Sequence, residues 1–355
     1  MRRMSRRAVI AGTAAVAATG TGGLIVADVR AEGPSARQQG DSAPLRGTAP
    51  LPHTRVISLD LADGERRRDA LRAAHRAIAA IDGGEIAAWA ALGAGALGSR
   101  SGRPRQLGQM PAFAGDVLDP AQSHGDLLLQ ITGTTARVTR QAADRTLRAL
   151  PQWRVRWRLD GFRPENRTED GRGLARNPFH FTEGYGNPAT STEVAERAIV
   201  TADQDEPAWA VGGSYQVIRI IRLATDFWDR DSIREQERII GRRRDGRWLD
   251  GTPSDERPVF AADPHGRTTP LDSHVRRAAP DRRHPPPLVR RSYNYRRGAD
   301  DQGLIFCCFQ RDLAKGFEAV QHRLRGEALA KYTLTVGGGY FFVPPPGDGW
   351  LAALT

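Results

Sequence analysis

The chain has 355 residues, 39% of them hydrophobic and 26% charged, with a formal net charge of +11. That length and balance fit one large or two ordinary globular domains, and a mean hydropathy of −0.50 excludes a membrane bundle. Of the 52 basic residues only Lys315 and Lys331 are lysine, and the arginines are scattered among Asp and Glu, so the positive balance does not read as a nucleic-acid surface.

Residues 1–31 read as an address and not as part of the fold. Arg2, Arg3, Arg6 and Arg7 precede an uncharged Gly/Ala-rich stretch, 8–27, that is only mildly apolar for a membrane span. Ser5-Arg6-Arg7 followed by Ala8, Val9 and Ile10 looks like a twin-arginine export signal, with a cleavage site at Val29-Arg30-Ala31. The alternative is an uncleaved basic anchor. Residues 32–50 are polar, rich in Pro, Gly and Ser, and read as a flexible spacer.

Hydrophobic periodicity then predicts strand 55–62, helix 66–81, strand 88–97, strand 126–133, helix 136–150 and strand 153–162. This β-α-β-β-α-β order is the ferredoxin-like pattern. The chain repeats it with strand 215–225, helix 231–241, strands 290–295 and 303–310, helix 315–326 and strand 338–345. The expected fold class is therefore α+β, two ferredoxin-like halves of antiparallel sheet and helices, at 51–190 and 191–355. No sequence identity links the halves. Cys307 and Cys308 are adjacent on a strand and should point to opposite faces, so no disulfide framework is expected.

The informative segments are RNPFHFTEGYGNP (176–188), GGSYQVIRIIRLATDFWDRDSIREQERIIG (212–241), LDSHVRRAAP (271–280), LVRRSYNY (288–295), DQGLIFCCFQRDLAKGFEAVQHRL (301–324) and VGGGYFF (336–342). In that order and spacing they resemble the dye-decolourising peroxidases, in particular their secreted, deferrochelatase-like branch. GDVLDPAQSHGDLLLQ (115–130) matches a further family segment, and the likeness runs from about residue 52 to 347.

The resemblance implies a dimeric α+β barrel-like fold and one haem b per chain. It implies hydrogen peroxide and a reducing substrate as partners, export by the twin-arginine machinery, a homo-oligomer, and no nucleic acid. His274 stands where the family carries its axial iron ligand, a role that suits a neutral imidazole. Arg276 and Arg277 would pair with haem propionates, guanidinium being matched to carboxylate; solvated surface arginines are the plain alternative. Arg290 corresponds to the family's distal arginine, a fixed cation for the charge that develops as a peroxide bond breaks, with Arg291 pointing away. Aromatics such as Tyr293, Tyr295, Trp153, Trp157, Trp209, Trp228 and Trp248 are candidate electron relays, though core packing explains them equally well.

At the distal motif the chain departs from the family. Gly-Phe-x-Asp-Gly-x-x-Asn becomes His180-Phe181-Thr182-Glu183-Gly184-Tyr185-Gly186-Asn187. Glu183 replaces the acid–base aspartate with a carboxyl one methylene further out, and His180 replaces glycine. Gly184 and Tyr185 would lie beside the cofactor with Glu183. Three readings stay open: Glu183 moves the peroxide proton, His180 takes over that task, or the pocket is retuned for iron release from haem, another oxidation, or simple haem carriage.

Overall fold

The computed structural model describes residues 43–45, 50–97, 102–164, 175–253, 260–281 and 284–353. The leader expected at 1–31 and most of the spacer lie outside the described residues.

The first half runs β1 (His53–Leu61), α1 (Arg67–Ala79), β2 (Ile86–Leu92), β3 (Leu127–Gly133), α2 (Ala136–Arg148) and β4 (Trp153–Phe162). The second runs α3 (Ser191–Ala198), β5 (Ser214–Leu223), α4 (Thr225–Trp228), α5 (Ile233–Ile240), α6 (His274–Ala278), β6 (Val289–Arg290), β7 (Tyr293–Arg296), β8 (Gln302–Gln310), α7 (Ala319–Leu324) and β9 (Thr333–Val343). Strand order is β5-β9-β2-β3-β1-β4-β7-β8-β6, and β5 also pairs along β8, so the sheet closes into an antiparallel barrel. Each half contributes four neighbouring strands in ferredoxin-like order, with β6 and β7 together serving as one strand against β8. The halves join through narrow seams, Leu92 opposite Phe342 and Phe162 opposite Asn294.

Alternation of side chains on the strands divides the core into a barrel interior and an outer layer. Val56, Trp89, Leu128, Ile218, Ile305 and Cys307 pack inside. Buried Gln130 and Gln216 bond across the interior, Gln216 Nε2 donating to Gln130 Oε1 at 2.7 Å and Trp89 Nε1 donating to Gln216 Oε1 at 3.0 Å. Ile57, Leu127, Leu129 and Ile131 face outward under α1 and α2. Helix α2 begins where the Thr135 side chain accepts the Val138 N–H, and it sets Thr139, Ala142, Ala143 and Thr146 on the sheet. These small residues at helical spacing let the backbone lie close. Cys307 joins the interior and Cys308 the outer layer, on opposite faces as their adjacency requires. Burial pushes the Cys307 thiol up to about 12.

Several elements differ from the periodicity. The strand expected at 88–97 ends at Leu92 and gives way to a 3-10 turn, Ala94–Leu97. A Cβ on Gly93 would meet the Gly125 carbonyl oxygen at 1.9 Å, so the chain turns where another backbone passes too close for a side chain. The strand expected at 290–295 is interrupted at Arg291 and Ser292, and the helix expected from 315 opens with a π turn, Ala314–Glu318. Helices α3 and α6 are too short for periodicity to reveal. Among the described residues no helix is long and apolar enough to cross a membrane.

Candidate active site

The site lies on the outer face of the second half, where two long connections fold over the sheet. One of them, between β5 and β6, carries His274 as the first residue of α6. A helix this short needs outside support. It packs against α7, and the Arg323 guanidinium binds the carbonyls of Arg277 and Ala278 at its end. Buried Arg276 ties it back to the preceding loop through the Asp263 carboxylate at 3.0 Å and the carbonyls of Thr269, Phe260 and Asp263.

His274 Nδ1 lies 2.7 Å from Glu327 Oε2. With the ring N–H donated to that carboxylate, the Nε2 lone pair is left for a metal, an arrangement that also makes the ligand more basic. Burial pushes the imidazole down, but the charge and hydrogen bond of Glu327 outweigh it, and the proton affinity ends above its ordinary value. The side chain nevertheless keeps 34% of its surface accessible. The ring is therefore desolvated but not packed on every side.

The electrostatic surroundings of His274 include Glu183 and Arg290, each of which acts on the other and on neighbouring groups. Burial raises the Glu183 carboxyl, against the opposing pull of Arg163, the Asn177 amide, Arg290 and His274. Burial likewise lowers the Arg290 guanidinium, and Glu183 opposes it. His274 senses both, yet among the described residues no hydrogen bond joins the three. An imidazole, a carboxylate and a guanidinium thus lie within electrostatic reach of one another, each desolvated and none hydrogen-bonded to the others.

Local structure fixes the last two relative to each other. The Asn187 side chain pairs with the Arg290 peptide at both ends, accepting its N–H at 2.9 Å and donating to its carbonyl at 2.9 Å. The Arg290 guanidinium donates to the Tyr185 carbonyl. Gly184, at φ +102°, supplies the left-handed backbone the turn needs. Tyr185 turns its ring away, under the Arg242 guanidinium, with its hydroxyl donating to the Asp245 carbonyl at 3.2 Å.

The other expected positions fall elsewhere. His180 is not brought to the cavity. It takes the left-handed φ of +72° that glycine would occupy, and its Nε2 lies 2.9 Å from Asp229 Oδ1 on a partly exposed surface. The bulk that replaces glycine therefore points outward. Both terminal nitrogens of Arg276 are occupied by the loop it anchors, and the guanidinium stacks over Phe260, which leaves its expected partnership with a cofactor carboxylate to others. Arg277 donates to the Arg325 carbonyl at 2.8 Å. Arg291 is buried, with Nη2 3.5 Å from the Leu45 carbonyl oxygen. Tyr293, Tyr295, Trp153, Trp157, Trp228 and Trp248 are core residues.

Three contributors escaped the sequence: Glu327, Asn177 and Arg163. Glu327 follows His274 by 53 positions and no local pattern marks it. Asn177 sits in a recognisable segment, but only the fold shows its Nδ2 donating to Glu183 Oε1 at 3.2 Å.

The donor set fits haem. Among the described residues no group of three or more His, Cys, Asp or Glu side chains could hold a bare metal ion. One carboxylate-backed imidazole facing an open, desolvated space suits an iron whose remaining equatorial ligands come from a macrocycle.

Comparison with known proteins agrees. The family model for the Dyp-type peroxidase N-terminal region matches residues 60–163, and that for the C-terminal region matches 174–348. A deferrochelatase of Shigella flexneri serotype 5b is 39% identical over 254 residues, 68% of this chain, and the chain spans only 60% of that relative's length. A DyP-type peroxidase from Streptomyces coelicolor superposes with a TM-score of 0.75 at 31% identity, covering 84% of this chain and 90% of that one. Ferric DtpA from Streptomyces lividans gives 0.75 at 29% identity, covering 90% and 97%. With both family regions present in order and a solved relative matched over nearly its whole length, the chain belongs to the Dyp-type peroxidase family of haem-dependent oxidoreductases.

Proposed function

We propose that the chain is an exported haem b peroxidase that reduces hydrogen peroxide and oxidises an organic or metal reductant. The observation that carries this is the Glu327-backed His274, a desolvated imidazole within electrostatic reach of Glu183 and Arg290. His274 would hold the iron. Bound haem would supply the two-electron chemistry that splits the peroxide bond. Glu183 would accept the proton from the near oxygen of hydrogen peroxide at its carboxylate and return it to the far oxygen, which leaves as water. Arg290 would stabilise the negative charge on the departing oxygen, a role strengthened by low dielectric. The surface position of His180 argues against its taking the proton. The resemblance of Ser5-Arg6-Arg7 and the residues after it to a twin-arginine signal is what supports the export part of this reading.

The test is rapid mixing of the haem-loaded protein with one equivalent of hydrogen peroxide. The reading requires a fast change in the haem absorption spectrum that a phenolic dye or metal reductant reverses. A haem spectrum indifferent to peroxide would overturn it. A second reading, iron release from haem, draws on the name of the deferrochelatase relatives. It predicts iron-free porphyrin, intact as a ring, among the products of incubation with haem and reductant.

A further inference from the structure

We propose that Asn177 is the positioning residue that lets a glutamate serve where the family uses an aspartate. Its carboxamide has a fixed orientation. Asn177 Oδ1 accepts two backbone N–H groups, from Phe179 at 3.1 Å and Phe181 at 3.0 Å. The Asn177 backbone closes the same turn, donating to the Phe181 carbonyl and accepting from the His180 N–H, each at 2.9 Å. The oxygen end is therefore committed inside the turn, and the amide has only one way to face. Its Nδ2 is presented outward, to Glu183 Oε1.

A glutamate carries an extra rotatable bond and an extra methylene compared with aspartate, so an untethered carboxylate would spread over several rotamers. The Asn177 donor holds one oxygen and leaves Oε2, which has no hydrogen-bond partner among the described residues, as the atom turned to the reactant. The Glu183 backbone is held on the same stretch, its N–H donating to the Ala175 carbonyl at 2.7 Å. The 175–183 segment thus grips the acid at both ends, from its peptide and from its carboxylate. Asn177 also lines a cavity of about 320 Å³, shared with Phe162, Arg176, Asn294 and Tyr295. Water there would replace a deleted side chain, which makes Asn177→Ala a poor test.

Asn177→Asp is the better one, because it keeps the oxygen that caps the turn and replaces the donor to Glu183 with a carboxylate oxygen. The inference rests on Glu183 being the proton carrier, so the experiment is a double-mutant cycle with Glu183→Asp, read by peroxide rate constants across pH. Asn177→Asp alone should slow the peroxide reaction by roughly tenfold to a hundredfold, the range that small misplacements cost. It should also move the acid limb of the pH profile upward. In the Glu183→Asp background, where the shorter side chain no longer reaches the donor, the same change should have a clearly smaller effect, that of the added charge alone. Infrared difference spectra of the cofactor-free wild type give a second readout that needs no folded Asn177 variant. The protonated Glu183 carbonyl band, assigned by its loss in Glu183→Gln, should lie at the hydrogen-bonded position. Independent, multiplicative rate effects, or a band at the free carboxyl position, would overturn the role of Asn177. If Glu183→Gln left the peroxide reaction unchanged, the proton-carrier reading and this inference would fall together.

Discussion

The two halves share a topology, and the difference between their outer faces locates the function. In the first half that face is dry. Ile57, Leu127, Leu129 and Ile131 pack against the apolar and small residues of α1 and α2. In the second half the same face carries charge. Arg219 lies buried on β5, paired with Asp116, with Nη1 donating to Gln321 Oε1 at 3.0 Å and Nη2 to Thr335 Oγ1 at 2.6 Å. Arg290 stands further along that face, beside Cys308. Long connections before and after β5 replace a closely docked helix pair and bring Glu183 and His274 over the sheet. A ferredoxin-like half that closes over itself makes a wall. One whose helices are held off by polar residues makes a site.

The comparison breaks most sharply at Glu183. Glu183→Gln keeps the shape and removes the base, so the peroxide rate constant should fall by about 10²- to 10⁴-fold with the fold intact. Its carboxyl holds the proton more tightly than usual. The base form is therefore lost as pH falls through a value above the ordinary carboxylate range, and an acid limb in the rate profile belongs there. That limb should vanish in Glu183→Gln.

Next come the two outer faces themselves. Asp116→Ala strands the buried Arg219 charge and should cost about 3–5 kcal/mol in denaturant unfolding. Leu129→Ala, on the dry face, should cost about 2–5 kcal/mol by leaving a cavity. The contrast is sharpened by a double replacement. The loss at Asp116 should be partly recovered by a shape-matched apolar double replacement with Arg219, whereas nothing equivalent applies to Leu129. The peroxide rate of the folded Leu129→Ala protein should match wild type, and a slower rate there would show that the halves are not separable in function.

A smaller effect is expected at Glu327. Glu327→Gln keeps a hydrogen bond to His274 and removes the charge, so haem affinity or peroxide rate should drop by about 10- to 100-fold. The smallest belongs to His180. His180→Gly relieves a left-handed backbone worth about 1 kcal/mol but loses the surface contact with Asp229, so stability should move by no more than about 1 kcal/mol. Its peroxide rate should stay at the wild-type value. A hundredfold loss would return His180 to the proton-transfer step.

Much of this was legible before the fold. Period-two and period-3.6 patterns marked most strands and the two helices of the first half, because burying one face leaves that trace in any sequence. The motifs around His274, Arg290 and Glu183 nominated a site, and the fold brings the three side chains within electrostatic reach of one another. Other features left no local trace. The end of β2 at Leu92 depends on Gly125 passing beside Gly93, and α6 exists because Arg276 and Arg323 hold it.

The sequence by itself determined the fold class and the order of elements in two ferredoxin-like halves, and it nominated His274, Arg290 and Glu183 as the candidate site. Only the tertiary structure decided that His180 faces solvent, that Arg276 is a structural anchor, that Glu327 backs His274 and that Asn177 holds Glu183. Each of these depends on where a side chain is aimed and what distant residue meets it. Periodicity reports burial of a face, and motif spacing reports kinship. Neither reports the direction of a single bond, and in a low-dielectric cavity that direction sets the chemistry.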